Sequence, residues 1–241
     1  MSFLPKVDLP TYNITLPVSN TKITFRPYLV KEQKILNMAK ESGDKNSLVE
    51  AILQVLTNCT TNNVNISDLP ITDTEFYFYN LRARSESEIV KLRYKCESKL
   101  QTGAPCHNIM EHDLNLLTDL EIFVPEVSDK IEISETVGIK LKHQKFEKDE
   151  LQNKIPTPEE IFQTVAKNVD FIYDENSQYD AKDIPLQHII QWISELPAEK
   201  YKSIENFFMN EPKIIKKLNI VCNKCGANHT IIVEDIFDFF I

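Results

Sequence analysis

The sequence predicts an α+β fold: an N-terminal β-hairpin plus helices, a zinc-ribbon-like β module drawn from two distant segments, and a helical insertion between those segments. Three observations carry this. Apolar and polar residues alternate over 13–28 and again over 89–94. Helical spacing of apolar residues, bounded by caps and stops, recurs between 32 and 84 and between 157 and 212. A Cys-x-x-Cys knuckle, Cys222-Asn-Lys-Cys225, stands far along the chain from a second cysteine pair, Cys96 and Cys106.

Asn13-Ile-Thr-Leu-Pro-Val and Lys22-Ile-Thr-Phe-Arg-Pro-Tyr read as two strands, with Ser19-Asn20 supplying the turn. Helices follow over 32–41, stopped by Gly43, over 45–57, and over 72–84, where Thr72-x-x-Glu75 matches a capping box. This third helix is aromatic on most sides, which predicts burial or an interface. Strands at 89–94 and around 109–116 flank the first cysteine pair, and two short strands are expected between 130 and 142. Thr157-Pro158-Glu-Glu caps a helix running to about Tyr173, and further helices cover 185–196 and 198–209. Residues from Lys217 onward return to β structure.

The expected division is therefore 1–88 as an N-terminal α/β region, 89–142 with 213–241 as the ribbon-like module, and 157–212 as a helical insertion. The charged stretch over 143–157 reads as the linker.

A net charge of −9 disfavours a phosphate-neutralising groove, so nucleic acid is not expected as a partner. No run approaches the ~20 apolar residues of a membrane span. The start lacks a signal-peptide pattern, which predicts a cytoplasmic, reducing setting. There, five cysteines point to metal or free thiols rather than disulfides.

Two thiolates two residues apart grip one face of a Zn²⁺ ion, and Gly226 permits the tight turn that aims backbone N–H groups at sulfur. Cys96 and Cys106 complete a tetrahedral set with Cys222 and Cys225, making a structural Zn²⁺ the expected cofactor. Each first cysteine follows a strand, and each second cysteine leads into one. The first spacing departs from the usual knuckle, with nine residues between the cysteines, and His107 is an alternative ligand. A redox pair lacks a framing βαβ unit, and four thiolates leave no open coordination position for catalysis. Unligated thiols packed in strands remain the plain alternative. Cys59 reads as a buried free thiol.

No nucleophile, phosphate-loop or metalloprotease motif is present, so the chain is expected not to be an enzyme and to take no small-molecule substrate. Phe76 and Tyr79 on the aromatic helix, with Phe239, Phe240 and Ile241 at the end, are candidate interface anchors.

Ile23-Thr-Phe-Arg-Pro-Tyr-Leu-Val-Lys-Glu-Gln-Lys resembles the opening of baseplate hub subunits of T-even-type contractile-tailed bacteriophages. So do Asn80-Leu-Arg-Ala-Arg-Ser, Val137-Gly-Ile-Lys-Leu, the stretch from Ile204 to Lys213, and the terminal knuckle with Asp-Ile-Phe-Asp-Phe-Phe. The resemblance implies a virion structural or assembly role without catalysis, with other baseplate hub and tail proteins as partners. It places the chain in the tail baseplate, and in the host cytoplasm during assembly. Two other readings stay open: a transient chaperone for hub subunits that is absent from the finished particle, and a zinc-ribbon nucleic-acid-binding factor.

Overall fold

The computed structural model describes residues 7–146, 157–233 and 236. It divides into two units, Met1–Phe123 with Lys213–Ile241, and Val124–Pro212.

In the first unit, β1 (Tyr12–Thr15) and β2 (Lys22–Phe25) form the antiparallel hairpin. Asn20 takes a left-handed φ of 56° in the turn, a conformation its short polar side chain tolerates. The buried carboxylate of Asp73 accepts the Val18 and Ser19 N–H groups, each at 2.8 Å, tying the turn down. Helix α1 (Val30–Ser42) begins where Glu32 reaches back to accept the Leu29 N–H at 2.8 Å. It ends at Gly43, whose φ of 68° makes it a left-handed C-cap. Helix α2 (Lys45–Cys59) is capped by Asp44, which accepts the Ser47 N–H.

Helix α3 (Ile71–Ser85) starts one residue before the expected cap. Pro70 is the N-cap and its carbonyl accepts the Thr74 N–H, so Thr72 lies inside the first turn and the Thr72/Glu75 capping box is not the start signal. The helix is buried on nearly every side: Tyr77, Phe78 and Leu81 are fully enclosed, and Tyr77 meets Phe25 edge-on with centroids 5.2 Å apart. Tyr79 is 2% exposed, so it belongs to the core and offers no surface as an interface anchor. Phe76 is half-buried. Periodicity alone could not separate these two neighbours on a helix that is apolar all round.

Strands β3 (Ile89–Lys95) and β4 (Ile109–Asn115) pair antiparallel through their full length. A short strand, β5 (Glu121–Phe123), falls where no element was expected. It borders the later strand pair described below.

The second unit begins with β6 (Lys130–Glu132) and β7 (Gly138–Leu141). Helix α4 (Pro158–Lys167) opens with the expected reciprocal cap: Thr157 Oγ1 accepts the Glu160 N–H, and Glu160 accepts the Thr157 N–H. It ends at Lys167, six residues short of the expected end, and β8 (Val169–Tyr173) follows. Val169, Phe171, Ile172 and Tyr173 are β-branched or aromatic, and pairing with β7 overrides the helical reading. Strand β9 (Gln178–Asp180) completes an antiparallel sheet in the order β6-β7-β8-β9.

Helices α5 (Leu186–Ser194) and α6 (Ala198–Met209) cover the sheet with α4. Ile139, Leu141, Val169, Ile189, Ile193, Ile204 and Phe207 make the shared core. His143 is held on two sides. Its ring stacks on Phe207 at 5.0 Å, and its Nδ1 lies 2.8 Å from Glu211 Oε2.

The expected division places 130–142 in the ribbon-like module and makes 157–212 a helical insertion. In the structure β6 and β7 hydrogen-bond to β8 instead, so Val124–Pro212 is a mixed α/β unit. Strands of three and four residues carry too little pattern to declare their partner. Of the charged linker, residues 147–156 lie outside the described residues, as do the candidate anchors Phe239, Phe240 and Ile241.

The chain returns to the first unit with β10 (Lys213–Val221) and β11 (Asn228–Val233), in the sheet order β11-β10-β5.

Candidate metal centre

Two hairpins, β3–β4 and β10–β11, end in knuckles built to one backbone plan. In the second, the Cys222 N–H donates to Ala227 O and the Gly226 N–H returns to Cys222 O, both at 2.8 Å. In the first, the Cys96 N–H donates to Asn108 O at 2.7 Å and the His107 N–H returns to Cys96 O at 3.1 Å. The residue after each second cysteine is left-handed: Gly226 has φ 73° and His107 has φ 50°. Each ladder therefore closes one residue beyond its last strand pair, Lys95↔Ile109 and Val221↔Asn228.

The nine-residue spacing is a hairpin inserted into the first knuckle. Lys99 bridges Pro105, the Leu100 N–H donates to Ala104 O at 2.8 Å, and Gly103 turns the chain with φ 83°. The Cys106 N–H donates to Ser98 O, which returns Cys106 to the side of Cys96. Leu100 packs back against the cysteines, while Gln101 to Pro105 are exposed.

The four sulfurs of Cys96, Cys106, Cys222 and Cys225 lie within 4.8 Å of one another. Two contacts run between the knuckles: Cys96 to Cys225 at 3.6 Å, bridging 129 positions, and Cys106 to Cys222 at 3.8 Å. Four sulfurs held about 2.3 Å from one tetrahedral ion would sit about 3.8 Å apart. Donor type, number and separation all fit a single soft or borderline divalent cation. Cys96, Cys106 and Cys222 are buried, and Met110, Tyr94 and Ile220 shield the cluster from water.

Electrostatics point the same way. Burial opposes ionisation of Cys222, but the N–H groups of Cys225 and Lys224, helped by the Cys225 and Cys96 thiols, bring it down to about 6. At Cys225 the Ala227 N–H favours the thiolate, yet burial and the crowding of Cys222, Cys96 and Cys106 push the thiol up to about 12. Four sulfurs this close resist carrying four negative charges unless a cation sits among them.

Side chains beyond the four cysteines tie the knuckles together. Asn108 Nδ2 lies 3.5 Å from Cys222 Sγ and donates to Asn223 Oδ1 at 2.7 Å. Lys224 Nζ donates to Cys106 O at 3.3 Å. His229 Nε2 sits 3.2 Å from Cys96 Sγ, where it supports a ligand sulfur rather than serving as a ligand itself. Asn108 and Lys224 escaped the sequence reading because no spacing rule marks a supporting residue. His107 is exposed and fills the left-handed turn position, and the sulfurs gather without it. Cys59 is buried elsewhere, 3.7 Å from Arg26 Nη1, and burial pushes its thiol up to about 11.

A family model described as T4 bacteriophage base plate protein matches residues 9–241, a span that takes in both knuckles and both units. No curated protein and no solved structure matches the chain. Matched over nearly its whole length, the chain belongs to the T4 bacteriophage base plate protein family.

Proposed function

We propose that the chain is a structural subunit of the baseplate hub, stapled by one structural Zn²⁺ on Cys96, Cys106, Cys222 and Cys225, and that it works through protein–protein contacts rather than catalysis. The observation that carries this is the family match across residues 9–241, which includes both remote segments that supply the sulfurs. Zinc suits four thiolates with no open position, and an ion there would constrain the unfolded chain as a long-range crosslink. Its role is to fix the hairpins, leaving partner contacts to other surfaces. Phe76 and the terminal Phe239, Phe240 and Ile241 are proposed contact residues; their apolar mass is the support for this.

The partners in this reading are other hub and tail proteins, met first in the host cytoplasm and retained in the tail. Nucleic acid, membrane and small-molecule substrates have no place in it. Net charge of −9 supports the first exclusion, and no helix among the described residues is long and apolar enough to cross a membrane. Mass spectrometry of purified tails tests the assignment. A fixed stoichiometry of this chain in finished tails is expected. Its presence in assembly intermediates alone would move it to the chaperone reading, and steeply salt-dependent DNA binding would favour the nucleic-acid one.

A further inference from the structure

The second unit holds a cavity of about 380 Å³ at the end of its sheet, between β8, β9 and α5. Ile172, Ile184 and Ile189 form its apolar wall. Tyr179, 45% exposed, and Trp192 bring two aromatic rings to its lining, and the Asp174 carboxylate joins them. Asp174 Oδ1 accepts the Asn176 and Ser177 N–H groups, and Oδ2 accepts the Tyr179 hydroxyl at 2.8 Å. Those donors, the Asn176 N–H foremost, hold its carboxyl below the usual carboxylate range. Among the described residues no lysine or arginine pairs with it. An ionised carboxylate beside an apolar wall and aromatic rings is a receptor for a long side chain with a cationic head.

We propose that this cavity receives an arginine or lysine side chain presented by a partner protein of the tail, its aliphatic stem against Ile172, Ile184 and Ile189 and its cation on Asp174, within reach of Tyr179 and Trp192. The inference rests on the reading of this chain as one that acts through protein contacts, and it names the chemistry of one contact. Charge complementarity favours a basic over an acidic occupant, because the chain carries −9 and the cavity adds a fixed anion. The volume is at the small end of ligand pockets, enough for one or two side chains rather than a folded element.

Trp192 is the only tryptophan of the chain, so its fluorescence reports on the cavity alone. The probes are capped pentapeptides, Gly-Ile-Arg-Ile-Gly and the same peptide with citrulline, which keeps the shape and removes the charge. The arginine peptide should give a saturable change, with the citrulline peptide at least tenfold weaker. Asp174→Asn, near-isosteric in its turn, should erase that difference. Val137→Phe, which fills the cavity without touching the charge, should weaken both peptides and carries the test if Asp174→Asn fails to fold. Equal binding of both peptides, or no saturation by about 5 mM, would overturn the proposal. A second arm separates it from the reading beneath it. Absence of the wild-type chain from tails defeats the hub assignment, whereas wild-type levels of incorporation for both variants defeat only the cavity's role.

Discussion

His107 and Gly226 occupy the same station in two knuckles of unlike sequence. Each follows a second cysteine, each is left-handed, and each returns its N–H to the carbonyl of the first cysteine. A histidine pays for that φ and a glycine does not. His107→Gly should therefore leave stability unchanged or raise it by up to about 1 kcal/mol, while His107→Val should cost about 1–2 kcal/mol. Urea unfolding measures both. Metal content of His107→Gly should equal wild type; a loss of bound metal would make the imidazole a ligand after all.

Elemental analysis of the purified protein should find one zinc per chain. Cys96→Ser and Cys222→Ser, one from each knuckle, should each release the ion and lower the melting temperature by roughly 10 °C or more, given that a few degrees accompany each kcal/mol in a chain of this size. Cys59→Ser should keep the full metal content. With its thiol raised to about 11, Cys59 should also stay unmodified by iodoacetamide at about pH 8 until the protein is unfolded, because the thiolate is the reactive form.

His229 supports Cys96 from 3.2 Å. His229→Phe should preserve the fold but hasten zinc transfer to a chromophoric chelator, by up to about tenfold, as loss of a supporting hydrogen bond does elsewhere. An unchanged transfer rate would mean that the imidazole only packs against the sulfur.

Asp73 is fully buried and holds the hairpin turn through two backbone N–H groups. Asp73→Ala would orphan both donors and should destabilise the first unit by about 2–4 kcal/mol in urea unfolding. Loss of less than about 0.5 kcal/mol would show that water replaces the carboxylate.

Glu32 is enclosed between Arg26 and the start of α1. Burial works against its charge, but the Arg26 guanidinium, the Leu29 N–H and Lys31 outweigh it and lower its pKa from 4.5. Below that value the unfolded chain takes up a proton that the folded chain resists. The stabilisation is thus complete above about pH 5 and is lost as pH falls through the depressed folded value. Glu32→Gln should melt well below wild type at neutral pH, and the gap should narrow in acid. A gap that stays constant down to about pH 3 would assign the loss to packing alone.

Much of this protein was legible in its residues. Hairpin, helices α1 and α2, the cap at Thr157 and the second knuckle are local devices, and each is written within a few neighbouring positions: Ser19-Asn20, Gly43, Thr157-Pro158, Cys222 to Gly226. The α+β class followed from them, and the pairing of Cys96 and Cys106 with the knuckle followed from ligand chemistry. What only the tertiary structure decided is non-local. Short strands β6 to β9 chose one another across an intervening helix because a half-buried edge and a shared apolar layer, rather than any sequence pattern, select the partner. Tyr79 went to the core and Phe76 toward the surface on a helix whose pattern allowed either. The nine-residue gap became a small hairpin that restores Cys96 and Cys106 to one another. Asn108, Lys224 and His229 took their places around the sulfurs only once two hairpins, remote in the chain, stood side by side.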